Sequence, residues 1–441
     1  MVEKNQASLT NYPVHWLAPV VPGVMFAYAC AEIWMGHFTA LPYSPRVFLV
    51  VIGAFITLCV SLISSNIRFS WFNRDFAWLA ALTFSFGVVV FFVDSYNAVP
   101  IGEELLLRYV YPVLLMMICV VLGRRNPIIL IKAIALAVGV TALFALLQAA
   151  GWDIGWRIRF MISPHDESIA RVALFRPTGL NRTSFTLAYA LCLGFPAALS
   201  LAIDESRLRG LWALVAVVVF LAGIVSLTRS PLLGMLVSAI VIFLLGDRRK
   251  RLFKLSSKIL VLLGLALLLL MLIQHEMTHR GVTAARRLTA LSADESASRR
   301  VGLFSATFLV FKDHPLGVGS GRPKEVASDY IGKLDWLSDR QLRTVGEKGA
   351  HNHILNVLSS YGVFGGVLLG ILFWTLFRWL GALRRSGVPH FETIAKVGFA
   401  ALIGGEANAF FHNEGIFISE TSVFILFASI VIAHQQWRLS R

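Results

Sequence analysis

The chain has 441 residues, of which 57% are hydrophobic and only 15% charged, against about a quarter charged in ordinary soluble domains. With a mean hydropathy of +0.71, it is excluded from the soluble globular class and reads as a polytopic membrane protein. The net charge of +15 would suggest nucleic acid in a soluble chain, but in a membrane protein the excess belongs to cytoplasmic loops, so no nucleic-acid partner is expected.

Apolar runs long enough to cross a bilayer fall near 18–38, 46–65, 76–95, 105–123, 128–149, 184–203, 209–227, 231–246, 256–274, 355–380, 393–411 and 418–434. The expected fold is therefore all-α, with about twelve transmembrane helices. No cleavable signal peptide is expected, since the first run has no basic region before it. Cys30, Cys59, Cys119 and Cys192 lie inside apolar runs without metal-ligand spacing and read as small core residues. The seventh and eighth runs are separated only by 228-TRS-230, which predicts a tight hairpin.

Arginine and lysine cluster in alternate connections, at Arg68 and Arg74, Arg124 and Arg125, Arg207 and Arg209, along 247-DRRKRLFKLSSK-258, and at Arg378, Arg384 and Arg385. Those loops are assigned to the cytoplasm, and an even count of spans puts both termini there. Two long segments then face outward, 150–183 and 275–353. The division is 1–274 with nine spans, a loop domain over 275–353, and 354–441 with the last three spans. In the loop domain, 292-SADE-295 reads as a capping box, and Val301, Phe304, Phe308 and Phe311 follow at helical spacing until 313-DHP-315. This predicts an amphipathic helix lying on the membrane face or over the bundle mouth, or packed within its own small domain.

Ionisable residues in or beside the spans are Glu32, Asp94, Arg108, Arg229 and Glu406, and the topology puts all five toward the outer side. Charge at mid-bilayer costs at least about 2.5–3.5 kcal/mol, so each is a functional candidate, against the plainer readings of snorkelling to the surface or half of a buried pair. A coupled transporter needs polar groups near the midplane reachable from both sides. None stands out in the sequence, and the pattern points instead to a cavity open outward.

Arg176, Arg229, Arg299 and Arg300 lie on outer-side segments, in 175-FRPTGLNRTSF-185, 226-SLTRSPLLG-234 and 296-SASRRVGLF-304. Guanidinium is permanently charged and its planar fork matches phosphate oxygens, so several converging forks suit a diphosphate. With no nucleotide pool outside, a membrane-held diphosphate reads as a polyprenyl diphosphate carrying sugar. Pairing with loop acids such as Asp166, Glu167, Asp294 or Glu295 is the plainer alternative for any one of them. The turn 317-GVGSG-321 lacks the following lysine of a phosphate-binding loop and reads as a plain turn. His351 stands at the outer start of the tenth span, where an imidazole could take a proton from a hydroxyl. His353, two residues on, points elsewhere and is assigned to packing or support. No D-x-D pair stands on an outer loop, so neither a metal nor another cofactor is expected.

His351 and Asn352, followed by nine residues and then Gly362 and Gly365 in G-x-x-G, resemble the signature of the O-antigen ligase and polymerase superfamily. The T-R-S turn at Arg229, the R-P-T-G-x-N segment at Arg176, and Arg300 four residues before Phe304 are similar to the family's pattern. The resemblance covers most of residues 150–380. It implies an inverting glycosyltransferase of GT-C-like architecture in the bacterial inner membrane, working at the periplasmic face on undecaprenyl diphosphate-linked O-antigen. His351 would be the base, Arg176, Arg229, Arg299 and Arg300 the diphosphate ligands, and Asn352 a supporting residue. A chain without a long soluble C-terminal domain resembles the ligases, whose acceptor is lipid A-core oligosaccharide. O-antigen polymerase remains the alternative within enzymes, and an anion transporter the alternative from another class.

Overall fold

The computed structural model describes residues 21–34, 50–55, 73–100, 108–162, 177–181, 183–226, 228–246, 295–331, 334, 352–412, 415 and 421–441; for Trp34, residues 159–162, Arg229 and residues 295–300 it describes the backbone alone. Among the described residues there are helices and no strands. In chain order they are α1 (Val21–Trp34), α2 (Arg74–Tyr96), α3 (Tyr111–Gly123), α4 (Ile128–Ala149), α5 (Asp153–Ile162), α6 (Ser184–Asp204), α7 (Arg209–Val225), α8 (Arg229–Leu245), α9 (Glu295–Asp313), α10 (Pro323–Ile331), α11 (His353–Arg384), α12 (Pro389–Ala409) and α13 (Val423–Leu439).

Four of these, α2, α4, α6 and α11, are long and apolar enough to cross a membrane, and five shorter apolar helices accompany them. Of the expected spans, 256–274 lies outside the described residues and 46–65 is described only as helix over 50–55. The apolar periodicity that makes these helices is nearly uniform around the axis, as expected where both lipid and protein are apolar neighbours. Residues facing the interior are often small. Gly194 of α6 sits directly on Val138 of α4, and Gly404 of α12 on Gly234 and Ser238 of α8, so the backbones approach closely where a larger side chain would hold them apart.

The centre of the bundle is built from α4, α6, α8 and α12. The tight connection after α7 does not produce an intimate hairpin: α8 packs chiefly along α12, and α7 along α4 and α6. Although α12 carries Glu392, Lys396 and Glu406, its middle is enclosed, and near its start Lys396 and Thr393 are paired. Lys396 Nζ bonds both carboxylate oxygens of Asp204, at 2.8 and 2.9 Å, and Thr393 Oγ1 donates to Asp204 as well.

Helix ends sort into two layers. At one, Asn73 meets Gln435, Asp75 meets His434 and Arg438, and Lys132 meets Glu205. At the other, buried Glu32 accepts from the hydroxyls of Tyr111 and Thr421, and Asp94 accepts from the Ser320 amide at 2.6 Å. Glu32 and Asp94, two of the five outer-side charges, thus hold segments together.

Above the second layer, α9 and α10 form a small satellite core from Leu303, Ala306, Val310, Val318, Ala327, Ile331 and Leu334. The buried stripe of α9 is therefore Leu303, Ala306, Thr307 and Val310, while Val301 and Phe308 of the predicted apolar face are exposed. The helix has two apolar faces, one packed on α10 and one turned outward. The expected cap at Ser292 lies outside the described residues.

Candidate functional site

The site is assembled where the start of α11, the end of α12, the start of α8 and the satellite helix α9 meet. Asn352 is the N-cap of α11: its Oδ1 accepts from the Leu355 amide at 3.0 Å, and the side chain is buried. A capping amide satisfies an orphan N–H of the first turn and fixes the chain's entry into the helix. Asn352 therefore fixes the start of α11.

His353 opens the same helix and is buried. Its Nδ1 lies 3.0 Å from Glu406 Oε2 of α12, and Gly415 sits against its ring, where a larger residue could not fit. On the far side of α12, Asn408 packs against Gly234 of α8. One turn away, His412 Nε2 lies 2.7 Å from Ser230 Oγ at the start of α8, with Phe185 and Tyr189 of α6 edge-on or tilted to its ring. Phe304 of α9 meets Phe410 at the end of α12 with ring centroids 5.4 Å apart, which seats the Arg300 turn of α9 over the same place.

This neighbourhood also contains nearly all the unsatisfied buried polar side chains. Among the described residues, the buried side-chain atoms without a hydrogen-bond partner are Ser200 Oγ, His353 Nε2, Glu406 Oε1 and both amide atoms of Asn408. Each such atom costs about 1–3 kcal/mol, and their concentration is the signature of a functional site rather than of a packed core.

Behind the site, α11 is broken at Gly362, whose φ of 64° and ψ of −159° leave the helical region. The break frees the carbonyls of Ser359 and Ser360, which accept from Val318 and Gly319 at 2.9 Å each, and Val363 donates to Pro315 O at 2.9 Å. The G-V-G-S-G turn is the other half of this strap, and its first four amides are consumed: beside those of Val318 and Gly319, Gly317 N bonds His314 O and Ser320 N bonds Asp94. It offers no free anion nest. A Cβ at Gly362 would overlap the backbone of Pro315 and Leu316, so the first glycine of G-x-x-G is where the outer domain locks into the helix that begins at the histidine.

The segment after Arg176 is likewise pinned. Gln148 of α4 accepts from the Thr178 and Gly179 amides at 2.9 Å and donates to Gly179 O at 2.7 Å, while Asn181 bonds Thr141 and Ile33 O.

Of the residues expected to act, His351 and Arg176 lie outside the described residues, and Arg229, Arg299 and Arg300 are placed by backbone only: Arg229 is the first residue of α8, and the other two stand in the first two turns of α9. Asn408, His412 and Ser230 were not singled out by sequence. The available signal was the polar run at the close of an otherwise apolar span, in 406-EANAFFHN-413. Among the described residues, no group of three or more His, Cys, Asp or Glu is placed to hold a metal ion.

Residues 214–370, from within α7 through the broken part of α11, match the family model described as O-antigen ligase. Over this segment, about a third of its length, the chain is similar to the O-antigen ligase family. The matched segment contains Arg229, the strap, Asn352 and Gly362, while Glu406, Asn408 and His412 lie beyond it. The match supports an activity of the O-antigen ligase or polymerase type. No curated protein matches the chain.

Proposed function

We propose that the protein is an O-antigen ligase of the bacterial inner membrane, moving O-antigen from undecaprenyl diphosphate to lipid A-core oligosaccharide at the periplasmic face. Both termini lie in the cytoplasm in this reading, and a GT-C-like bundle of about twelve helices holds the site at its outer end. The observation that carries it is the meeting of α8, α9, α11 and α12 at one end of the bundle around a cluster of unsatisfied buried polar atoms; α8, α9 and the start of α11 fall in the family segment, and α12 follows it.

In this reading His351 removes the proton from an acceptor hydroxyl. The hydroxyl oxygen attacks the anomeric carbon from the face opposite the diphosphate, the bond to the diphosphate oxygen breaks, and configuration inverts. Arg176, Arg229, Arg299 and Arg300 stabilise the charge that grows on the leaving diphosphate, without a metal. Asn352 sets the direction of His351 through the cap. O-antigen polymerase uses the same donor chemistry with a second lipid-linked glycan as acceptor. The pinned scaffold of α12 favours an enzyme over an anion transporter.

Reconstitution of the purified protein with lipid-linked glycan and lipid A-core decides among these. Transfer to lipid A-core, lost about 10²-fold or more in His351→Ala, is the expected result. Elongation of the lipid-linked glycan alone would make the protein a polymerase, and full activity of the variant would remove His351 as base.

A further inference from the structure

At the end of the bundle opposite the candidate site, a groove of about 900 Å³ opens between α2, α11 and α13. Four arginines border it: Arg74 from the start of α2, Arg378 and Arg385 from the end of α11, and Arg438 from α13. The acid at its floor, Asp75, is already committed, since it accepts from His434 Nδ1 at 2.8 Å and from Arg438 at 3.2 Å. Among the described residues, the side chains of Arg74, Arg378 and Arg385 have no ion-pair or hydrogen-bond partner. Three uncompensated guanidinium groups around one groove repel each other, and a bound anion offsets that repulsion.

The same groove is strongly aromatic. His434 is stacked between Trp379 and Trp437, and the rim carries Trp78, 48% exposed, and Trp374, 71% exposed. Trp78 Nε1 donates to Thr375 Oγ1 at 3.2 Å, which fixes its ring across the seam between α2 and α11. From Trp374 the exposed apolar surface continues along α11 through Ile371, Val367 and Phe364. Cations beside interfacial tryptophans, with an apolar strip running on toward the bilayer centre, match a ligand with an anionic head and long apolar tails. A free phosphate would have no use for the strip, and a neutral lipid none for the cations.

We propose that this groove binds an anionic glycerophospholipid, with the phosphodiester among Arg74, Arg378 and Arg385 and the acyl chains along α11. The site is independent of the glycosyl-transfer reading.

The test uses the full chain, purified and stripped of lipid in neutral detergent, with binding read by native mass spectrometry and by the thermal midpoint. Phosphatidylglycerol is expected to bind at least ten-fold tighter than phosphatidylcholine. The double variant R378Q/R385Q, whose side chains are exposed, is expected to keep the wild-type midpoint without lipid and to lose that preference. Inorganic phosphate at millimolar concentration should not displace the lipid. Equal binding of the two lipids by the wild-type protein overturns the proposal whatever the variant does, as does an unchanged preference in the variant. Displacement by inorganic phosphate would make the groove a site for soluble phosphate and overturn the lipid assignment.

Discussion

Replacing Gly362 by alanine asks whether the strap between the outer domain and α11 is a fastening or an incidental contact. At φ 64° and ψ −159° an alanine sits in a region open essentially to glycine, at a cost of about 1–3 kcal/mol. The added methyl also meets the backbone of Pro315 and Leu316, neither of which can swing aside as a side chain would. Relief requires the strap to lift, which breaks the bonds from Val318 to Ser359, Gly319 to Ser360 and Val363 to Pro315, each worth about 0.5–1.5 kcal/mol. The total of roughly 3–7 kcal/mol exceeds the effect of most single substitutions. Expected outcomes are a lowered thermal midpoint in detergent and faster protease cleavage within 314–322. Gly370→Ala is the control: eight residues further along the same helix, it has open space for a methyl, and should be neutral or slightly stabilising through helix propensity. If both variants melt and resist protease like the wild type, the strap does not hold the domain.

Three other substitutions or conditions probe the site. His353→Ala leaves the Glu406 carboxylate, only 18% exposed, without its partner, so it should lower thermal stability by about 2–5 kcal/mol, read by detergent melting; an unchanged midpoint would show the pair to be dispensable. Arg229→Lys and Arg300→Lys keep charge but lose the planar fork, so if they grip diphosphate, lysine should fail nearly as badly as alanine in a transfer assay at equal membrane abundance. Normal rates in both would leave these side chains out of the clamp. Transfer should persist in excess EDTA; loss restored by Mg²⁺ or Mn²⁺ would demonstrate a metal site.

The sequence located helices well where an apolar run is uninterrupted and bounded by charge, as at 128–149 and 184–203, which the structure matches within one residue. His353, assigned by sequence to packing or support, is buried and lies 3.0 Å from Glu406. Less legible were contacts between distant parts of the chain. Nothing local to Gly362 says that Pro315 fills the gap it leaves, and nothing local to Asp75 says that His434 and Arg438 neutralise it. The second apolar face of α9 was not legible, because aromatic residues dominate a hydrophobic pattern, whereas close packing against α10 uses the smaller Leu303, Ala306, Thr307 and Val310. That α8 packs chiefly on α12 was not legible, because a short connection limits distance but does not choose between faces.

Helix α12 is bolted at two levels. Near its beginning Lys396 and Thr393 hold Asp204 of α6, and near its end Glu406 holds His353 of α11, ten residues on and so about 15 Å along the axis. Sliding α12 by a single turn would shear both fastenings at once, with buried charge left bare at each. A carrier that exposes one site alternately to two compartments needs a central element free to rock, and this one is clamped to different partners at either end. Such a frame suits a machine in which the substrates travel and the anvil stays still.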